Sequence, residues 1–396
     1  MLKRIDFLLL GIAVVLTLFG MAMIASVSVF ESYQITLHFT ELGSMAAPTN
    51  SFYLLRTFFH VLEGLAALFV TTVIPYHFWE RHARTLFFIS LVLLVAVLMP
   101  GLRADWGTSS SWLRIGPQSL QPSEVFKLTF IFYLAVWLQK REQLIGTFKE
   151  GFIPFATLLV ISTFIIAIEP DLGTFLILSG IGSLMFFVAG GNIFHLFLGG
   201  GLAATMGLPL ILQKDYIRSR FFAFLNPTDP RIAETIGFQI KQALIAIGSG
   251  GFFGVGYGKS IQKFGYLPEV QADMVFSAMG EELGFLRLLI VLGMYGVLIY
   301  RGFRVAQHAP DRFGFLIATG ITCWIALQTA VNIAVNIGLF PLTGLTLPFI
   351  SYGGSSLVCM LAAVGILLNI SMHSAEHGQT VRREKRHASG VLSFMS

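Results

Sequence analysis

The feature that most limits what this chain can become is a series of long, almost uncharged apolar runs separated by polar breaks. Bilayer hydrocarbon is about 30 Å thick and offers no hydrogen bonds, so a crossing segment needs about 20 mostly apolar residues in a helix that satisfies its own backbone. Such runs occur near residues 7–30, 53–75, 85–101, 122–139, 152–168, 172–190, 194–212, 276–300, 313–336 and 353–371. They predict an all-α polytopic membrane protein of about ten transmembrane helices. One integral membrane domain should cover 1–372, followed by a basic, disordered cytoplasmic tail at 373–396. Composition agrees, since 55% of the 396 residues are hydrophobic and 12% charged, against about 25% charged in soluble domains. The first run follows Met1-Leu2-Lys3-Arg4 without a small-residue cleavage site after it, and reads as a retained helix rather than a signal peptide.

The formal charge of +5 is small and dispersed, which excludes the basic footprint of a nucleic-acid binder. An anionic lipid surface or an anionic lipid substrate is the expected partner of these cations. Cys323 and Cys359 both lie in apolar runs, so neither a disulfide framework nor a zinc site is available. Basic residues beside short loops set orientation. Placing both termini in the cytoplasm puts Lys3, Arg4, Arg81, Arg84, Lys140, Arg141, Arg301, Arg304 and the basic tail inside. It also makes 213–275, with seven basic residues, a large extracytoplasmic loop between helices 7 and 8. Loops of that length cross largely regardless of charge.

In so apolar a chain, the polar residues carry the information. The long loop contains Arg218 and Arg220, then a glycine-rich stretch from Ala246 to Ser260, then Gln262-Lys263. Gly258-Lys259-Ser260 has the form of a P-loop ending, but Phe253 occupies the position of its first glycine and no strand precedes it. A nucleotide site is therefore disfavoured. Two readings of the glycines remain open, a close backbone approach to a ligand and a tightly packed re-entrant turn.

Four carboxylates follow within fourteen positions, Glu269, Asp273, Glu281 and Glu282. Beside Lys259 and Lys263 they offer general acid/base groups and counter-charges for an anionic substrate. The blander reading, favoured for Glu281 and Glu282, is solvated acids facing a helix N-terminus. Asp273 differs because the chain re-enters an apolar run at Met274, where desolvation would raise its pKa toward the range of a general base. Elsewhere, Trp112 precedes Gln121-Pro122-Ser123-Glu124 and Lys127, with Glu124 and Lys127 three apart on one helix face. An ion pair entering the membrane edge is at least as good a reading there as catalysis. Glu169-Pro170-Asp171 is an acidic break between two spans, pointing to a polar cavity. The fourth cluster runs from Asn332 through Pro341 to Ser356, rich in small and hydroxyl residues that permit close packing.

Together these motifs resemble the SEDS family (shape, elongation, division and sporulation), the FtsW/RodA/SpoVE peptidoglycan glycosyltransferases. The resemblance spans the chain: QPSE near Gln121, EPDLGT from Glu169, AIGSGG in the loop, GEELG from Gly280, and PLTGLTLPFISYGGSS from Pro341. The AIGSGG run and the FISYGGSSL ending look more like FtsW than RodA. Four positions depart from the family pattern: Ser110 and Ser111 replace a basic pair, Ala272 replaces a threonine, and Met274 replaces an aromatic residue.

The resemblance implies polymerisation of lipid II at the outer face of the bacterial cytoplasmic membrane, in cell division or elongation. It implies Asp273 as the catalytic residue, and Trp112, Glu124, Lys127, Arg218, Arg220, Lys259, Lys263, Glu269 and Ser355 as substrate-binding candidates. It further implies a class B penicillin-binding protein transpeptidase as partner, within the divisome or elongasome. No motif fixes a metal. A divalent cation, Mg or Mn, is the one cofactor the chemistry could recruit. Two other functions compete, a lipid II flippase and a non-catalytic scaffold for a transpeptidase.

Overall fold

The structure is a computed structural model describing residues 5–99, 111–115, 118–169, 171–211, 213–227 and 236–393. Lys3, Arg4 and Pro170 lie outside these residues, as do the side chains of the tail from 375 on. Among the described residues every apolar run is helical. α1 (Phe7–Val27) is followed by a short α2 (Val29–Glu41), then α3 (Phe52–Val73), α4 (His77–Val97) and α5 (Pro122–Lys140). A π-helical turn at Phe148–Phe152 leads into α6 (Ile153–Ile168), and α7 (Leu172–Val188) and α8 (Ile193–Ile211) follow. The last long helices are α11 (Val275–Gln307), α12 (Arg312–Asn336) and α13 (Gly354–Ser393). Strands β1 (Leu113–Ile115) and β2 (Gln118–Leu120) form one small antiparallel hairpin ahead of α5.

Several boundaries differ from the sequence reading. The run 7–30 breaks at Ser28, where α1 ends and α2 begins. The run 85–101 begins earlier, at His77, because a charged first turn still satisfies helix geometry although it cannot sit in hydrocarbon. The stretch 213–275 also contains α9 (Asp215–Leu225) and α10 (Ile236–Gly250), so it is partly helical rather than a simple loop. Among the described residues six helical segments are long and apolar enough to span by themselves: Phe7–Val27, Phe52–Val73, Phe148–Ile168, Val275–Gln307, Arg312–Asn336 and Gly354–Ser374.

Burial identifies the centre of the bundle. The apolar stretches of α12 and α13 are 72% and 83% buried, against 28–39% for the other four spans. A helix surrounded by protein can carry polar groups that a lipid-facing helix cannot. α12 does so, with buried Gln328, Asn332 and Asn336 at four-residue spacing on one face. That stripe supports the site.

α11 is interrupted at Gly284, whose φ of 73° and ψ of 174° break the helix into two segments. The cause is tertiary. The backbone after α10 is laid against the kink, with Phe285 N donating to Gly251 O (2.9 Å) and Val255 N to Glu281 O (2.9 Å). A Cβ at Gly284 would come within 2.1 Å of Gly254 N. Gly284→Ala should therefore cost at least about 1–3 kcal/mol from backbone strain alone, to be read as a lowered unfolding midpoint of the purified protein.

Candidate active site

Asp273 sits in the turn that feeds α11 and is 9% exposed. The turn is closed by Ala272 N and Met274 N, both donating to Glu269 O (2.9 and 3.3 Å). Two asparagines of α12 then clamp the Asp273 backbone carbonyl, Asn332 Nδ2 at 2.9 Å and Asn336 Nδ2 at 2.8 Å. Asn332 also donates to Leu345 O (2.7 Å), and Asn336 Oδ1 accepts from Ser277 N (3.0 Å) and Oγ (2.7 Å). Turn, α11, α12 and the segment before α13 are thus tied at one point. The side chain is treated differently, since Asp273 Oδ1 has no hydrogen-bond partner among the described residues. Burial, then the nearby Glu269 carboxylate, push its pKa up from 3.8 to about 7, with Arg220 opposing. A carboxylate that is buried, incompletely bonded and titrating near neutrality has the properties of a general base.

Arg220, on α9, reaches the same region. Its guanidinium donates to Leu342 O (2.8 Å) and lies 4.2 Å over the Tyr216 ring. Tyr216 feels the charges of Arg220, Asp171 and Asp273, which brings α9 and the start of α7 into one electrostatic neighbourhood. Arg218 is exposed and pairs with Asp215 (2.6 Å), while Lys259 is exposed on the glycine-rich turn. Glu269 is exposed on the same turn as Asp273, and its pKa is raised by the surrounding protein and then by Glu31.

Lys263 is placed differently. Its ammonium is 3% exposed and donates to Gly258 O (2.7 Å), Glu282 Oε1 (3.1 Å) and Ser26 Oγ (3.2 Å). All three donor hydrogens are engaged inside the protein, so Lys263 fastens the loop and is not free to contact a substrate. Glu281 and Glu282, read as solvated helix-terminal acids, are 2% and 0% exposed. Glu281 accepts from Ser260 Oγ, Ile261 N and Gln262 N, and Glu282 accepts from Ser26 Oγ. These acids organise the glycine-rich segment, which is the packed turn of the two readings. Periodicity cannot reveal this, because the partners lie about 20 residues or more away.

A second polar centre lies at the start of α5. Lys127 and Glu124 form an ion pair at 2.8 Å, 0% and 4% exposed. Lys127 also donates to Gln328 Oε1 (2.9 Å), which accepts from Trp324 Nε1 (2.8 Å) as well. Glu124 Oε2 is left without a partner among the described residues. It lines a cavity of about 30 Å³ shared with Gln121, Asp171, Thr174, Leu345 and Thr346. Ser355 does not line that cavity; its Oγ accepts from Gln121 N (3.0 Å), linking α13 to the start of α5. Trp112 is half-buried just before β1. Asp171 caps α7 through Thr174 N (2.9 Å). Neighbouring Glu169 has both oxygens buried without partners among the described residues, and burial, then Asp171, raise its pKa to about 8.

The sequence reading overlooked Asn336, Gln328 and Trp324. Gln328, Asn332 and Asn336 at i, i+4 and i+8 inside an apolar run carried the signal, since three amides on one face of a span require buried partners.

The cell cycle protein family of FtsW, RodA and SpoVE matches residues 6–376. Stage V sporulation protein E of Bacillus subtilis is 41% identical over 372 residues, covering 93% of this chain and 97% of that protein. The probable peptidoglycan glycosyltransferase FtsW of Trichlorobacter lovleyi is 40% identical over 371 residues, covering 93% and 94%. Among solved structures, a chain described under "Structural coordination of polymerization and crosslinking by a peptidoglycan synthase complex" superposes with a TM-score of 0.74 at 26% identity, covering 93% of this chain and 98% of that one. The rod shape determining protein RodA of Thermus thermophilus gives 0.65, also at 26% identity, covering 93% and 96%. The buried aspartate, its asparagine clamp and the bundle that carries them are therefore those of a polytopic membrane protein that belongs to the FtsW/RodA/SpoVE family, on its FtsW-like side.

Proposed function

We propose that this protein is a peptidoglycan glycosyltransferase that polymerises lipid II at the outer face of the bacterial cytoplasmic membrane. The observation that carries this reading is Asp273, a buried carboxyl held by its backbone, with one oxygen unbonded among the described residues and a pKa of about 7. As base it takes the proton of the acceptor GlcNAc 4-hydroxyl while that oxygen attacks the donor anomeric carbon. The bond to undecaprenyl pyrophosphate breaks, and the leaving group departs with the electron pair. Arg220 lies in the same electrostatic field as Asp273, and Lys259 and Arg218 are exposed, which suits them to the pyrophosphate. Glu124 lines the cavity at the start of α5, Lys127 holds it there through their ion pair, and Trp112 stands just before the hairpin that leads into α5.

In this reading both termini are cytoplasmic, ten helices cross the bilayer, and the segment 213–275 with Asp273 is extracytoplasmic. The partner is a class B penicillin-binding protein transpeptidase, in the divisome or elongasome, that cross-links the product. Among the described residues no group of three or more His, Cys, Asp and Glu side chains could hold a metal ion. The cavity between Glu124 and Asp171 still suits a Mg or Mn ion arriving with pyrophosphate, because such ions use one or two carboxylates plus phosphate oxygens. Bound there, it would offset negative charge on the leaving group.

The test is glycan formation from purified lipid II by the protein reconstituted with its partner, the partner's transpeptidase being blocked. Polymer is expected. Lipid II transfer across vesicles without polymer would support the flippase instead. The pH dependence has a definite sign. The base works deprotonated, so the rate should fall about tenfold per unit below the pKa of about 7 and level off above it. Stability moves the other way. The folded state holds this proton more tightly than an unfolded chain, so the contribution is present at acid pH and lost as pH rises from 3.8 through about 7.

A further inference from the structure

A buried base that accepts a proton in each cycle must also lose it, and its position at 9% exposure hinders direct transfer to bulk water. The turn supplies an exit. Glu269 O is bonded by Ala272 N and Met274 N, which places Glu269 one turn before Asp273. Its side chain reaches the surface whereas that of Asp273 does not. The two carboxyls lie within each other's electrostatic reach. Glu269 also holds this place at φ 53°, one of two non-glycine residues with positive φ among those described. A β-carbon in that region is costly, and such strain persists where the surrounding structure enforces a particular direction. Glu31 on α2 and Tyr53 on α3 lie in the electrostatic field of Glu269, and Arg220 and Tyr216 of α9 in that of Asp273.

Resting on the assignment of Asp273 as base, we propose that Glu269 is the carboxylate through which Asp273 discharges its proton to solvent, and that its charge helps set the basicity of Asp273. The proton taken from the sugar hydroxyl passes from Asp273, through a water between the two carboxyls, to the Glu269 carboxylate and then to bulk water, which restores the Asp273 carboxylate. No oxidant or further reactant is needed. The raised pKa of Glu269 lets it hold the proton transiently. This role differs from substrate binding, which would be expressed in KM.

The test compares the full-length protein with Glu269→Gln and Glu269→Asp in the lipid II polymerisation assay across pH. Glu269→Gln should lower kcat about tenfold or more with KM little changed. It should also shift the acid limb of the pH profile to lower pH, because a negative neighbour of Asp273 is gone. Imidazole, a small proton carrier, should restore part of the lost kcat, and Glu269→Asp should keep the wild-type limb. An unshifted limb, a rise in KM alone, or no response to imidazole would overturn the proposal. A thermal unfolding midpoint matching wild type separates these outcomes from misfolding. Asp273→Asn in the same assay separates the two readings, since activity retained there would remove the base itself, whatever Glu269 does.

Discussion

Asp273→Asn should lower lipid II polymerisation by about 10²–10⁴-fold, the usual contribution of a positioned general base. The substitution is nearly isosteric, and the fold should survive it. The group that anchors the turn is the Asp273 carbonyl, held by Asn332 and Asn336, and a backbone carbonyl is unchanged by the mutation. Asp273 Oδ1 has no partner to lose among the described residues. Removing a buried carboxyl whose ionised form is penalised by desolvation should even raise the unfolding midpoint slightly at neutral pH. Loss of polymer with an unchanged or higher midpoint is therefore the expected pair of results. Polymerisation within tenfold of wild type would remove Asp273 as the base.

Lys263→Met should cost about 3–5 kcal/mol of stability, because it leaves the Glu282 carboxylate buried without its cation. Glu282 is 0% exposed and lies 3.1 Å from the ammonium. Among the described residues it would keep only the Ser26 hydroxyl, which donates to both carboxylate oxygens at 2.7 and 2.8 Å. The double variant Lys263→Met with Glu282→Gln should recover much of the loss, since the amide oxygen still accepts from Ser26 and no charge is stranded. Unfolding midpoints of the single and double variants in detergent read this coupling. Equal loss in both would mean that the packing of the lysine stem matters more than its charge.

The two residues illustrate how unevenly the site could be read in advance. Asp273 was recognisable because its place in the chain, at the re-entry into an apolar run, already implied desolvation. Lys263 carries the same kind of local signal, a cation beside carboxylates in a polar loop, yet its ammonium turns inward. The difference lies in Ser26 and Glu282, which stand 237 residues before it and 19 after it in sequence. The Glu124–Lys127 pair was legible for the opposite reason, since helix geometry alone puts residues three apart on one face. What that pair touches was not, because Gln328 comes from a helix about two hundred positions away.

The amino-acid order is sufficient for the membrane-embedded all-α class and the helical runs, because hydrocarbon penalises every unpaired backbone group and the penalty is written locally in run length and charge. It also marks the polar residues that such a solvent would reject. Only the folded chain decides which of those residues bond to each other and which are left with an open oxygen. That choice depends on contacts between distant helices, as when α12 clamps the carbonyl of Asp273 and leaves its carboxyl to titrate near neutrality.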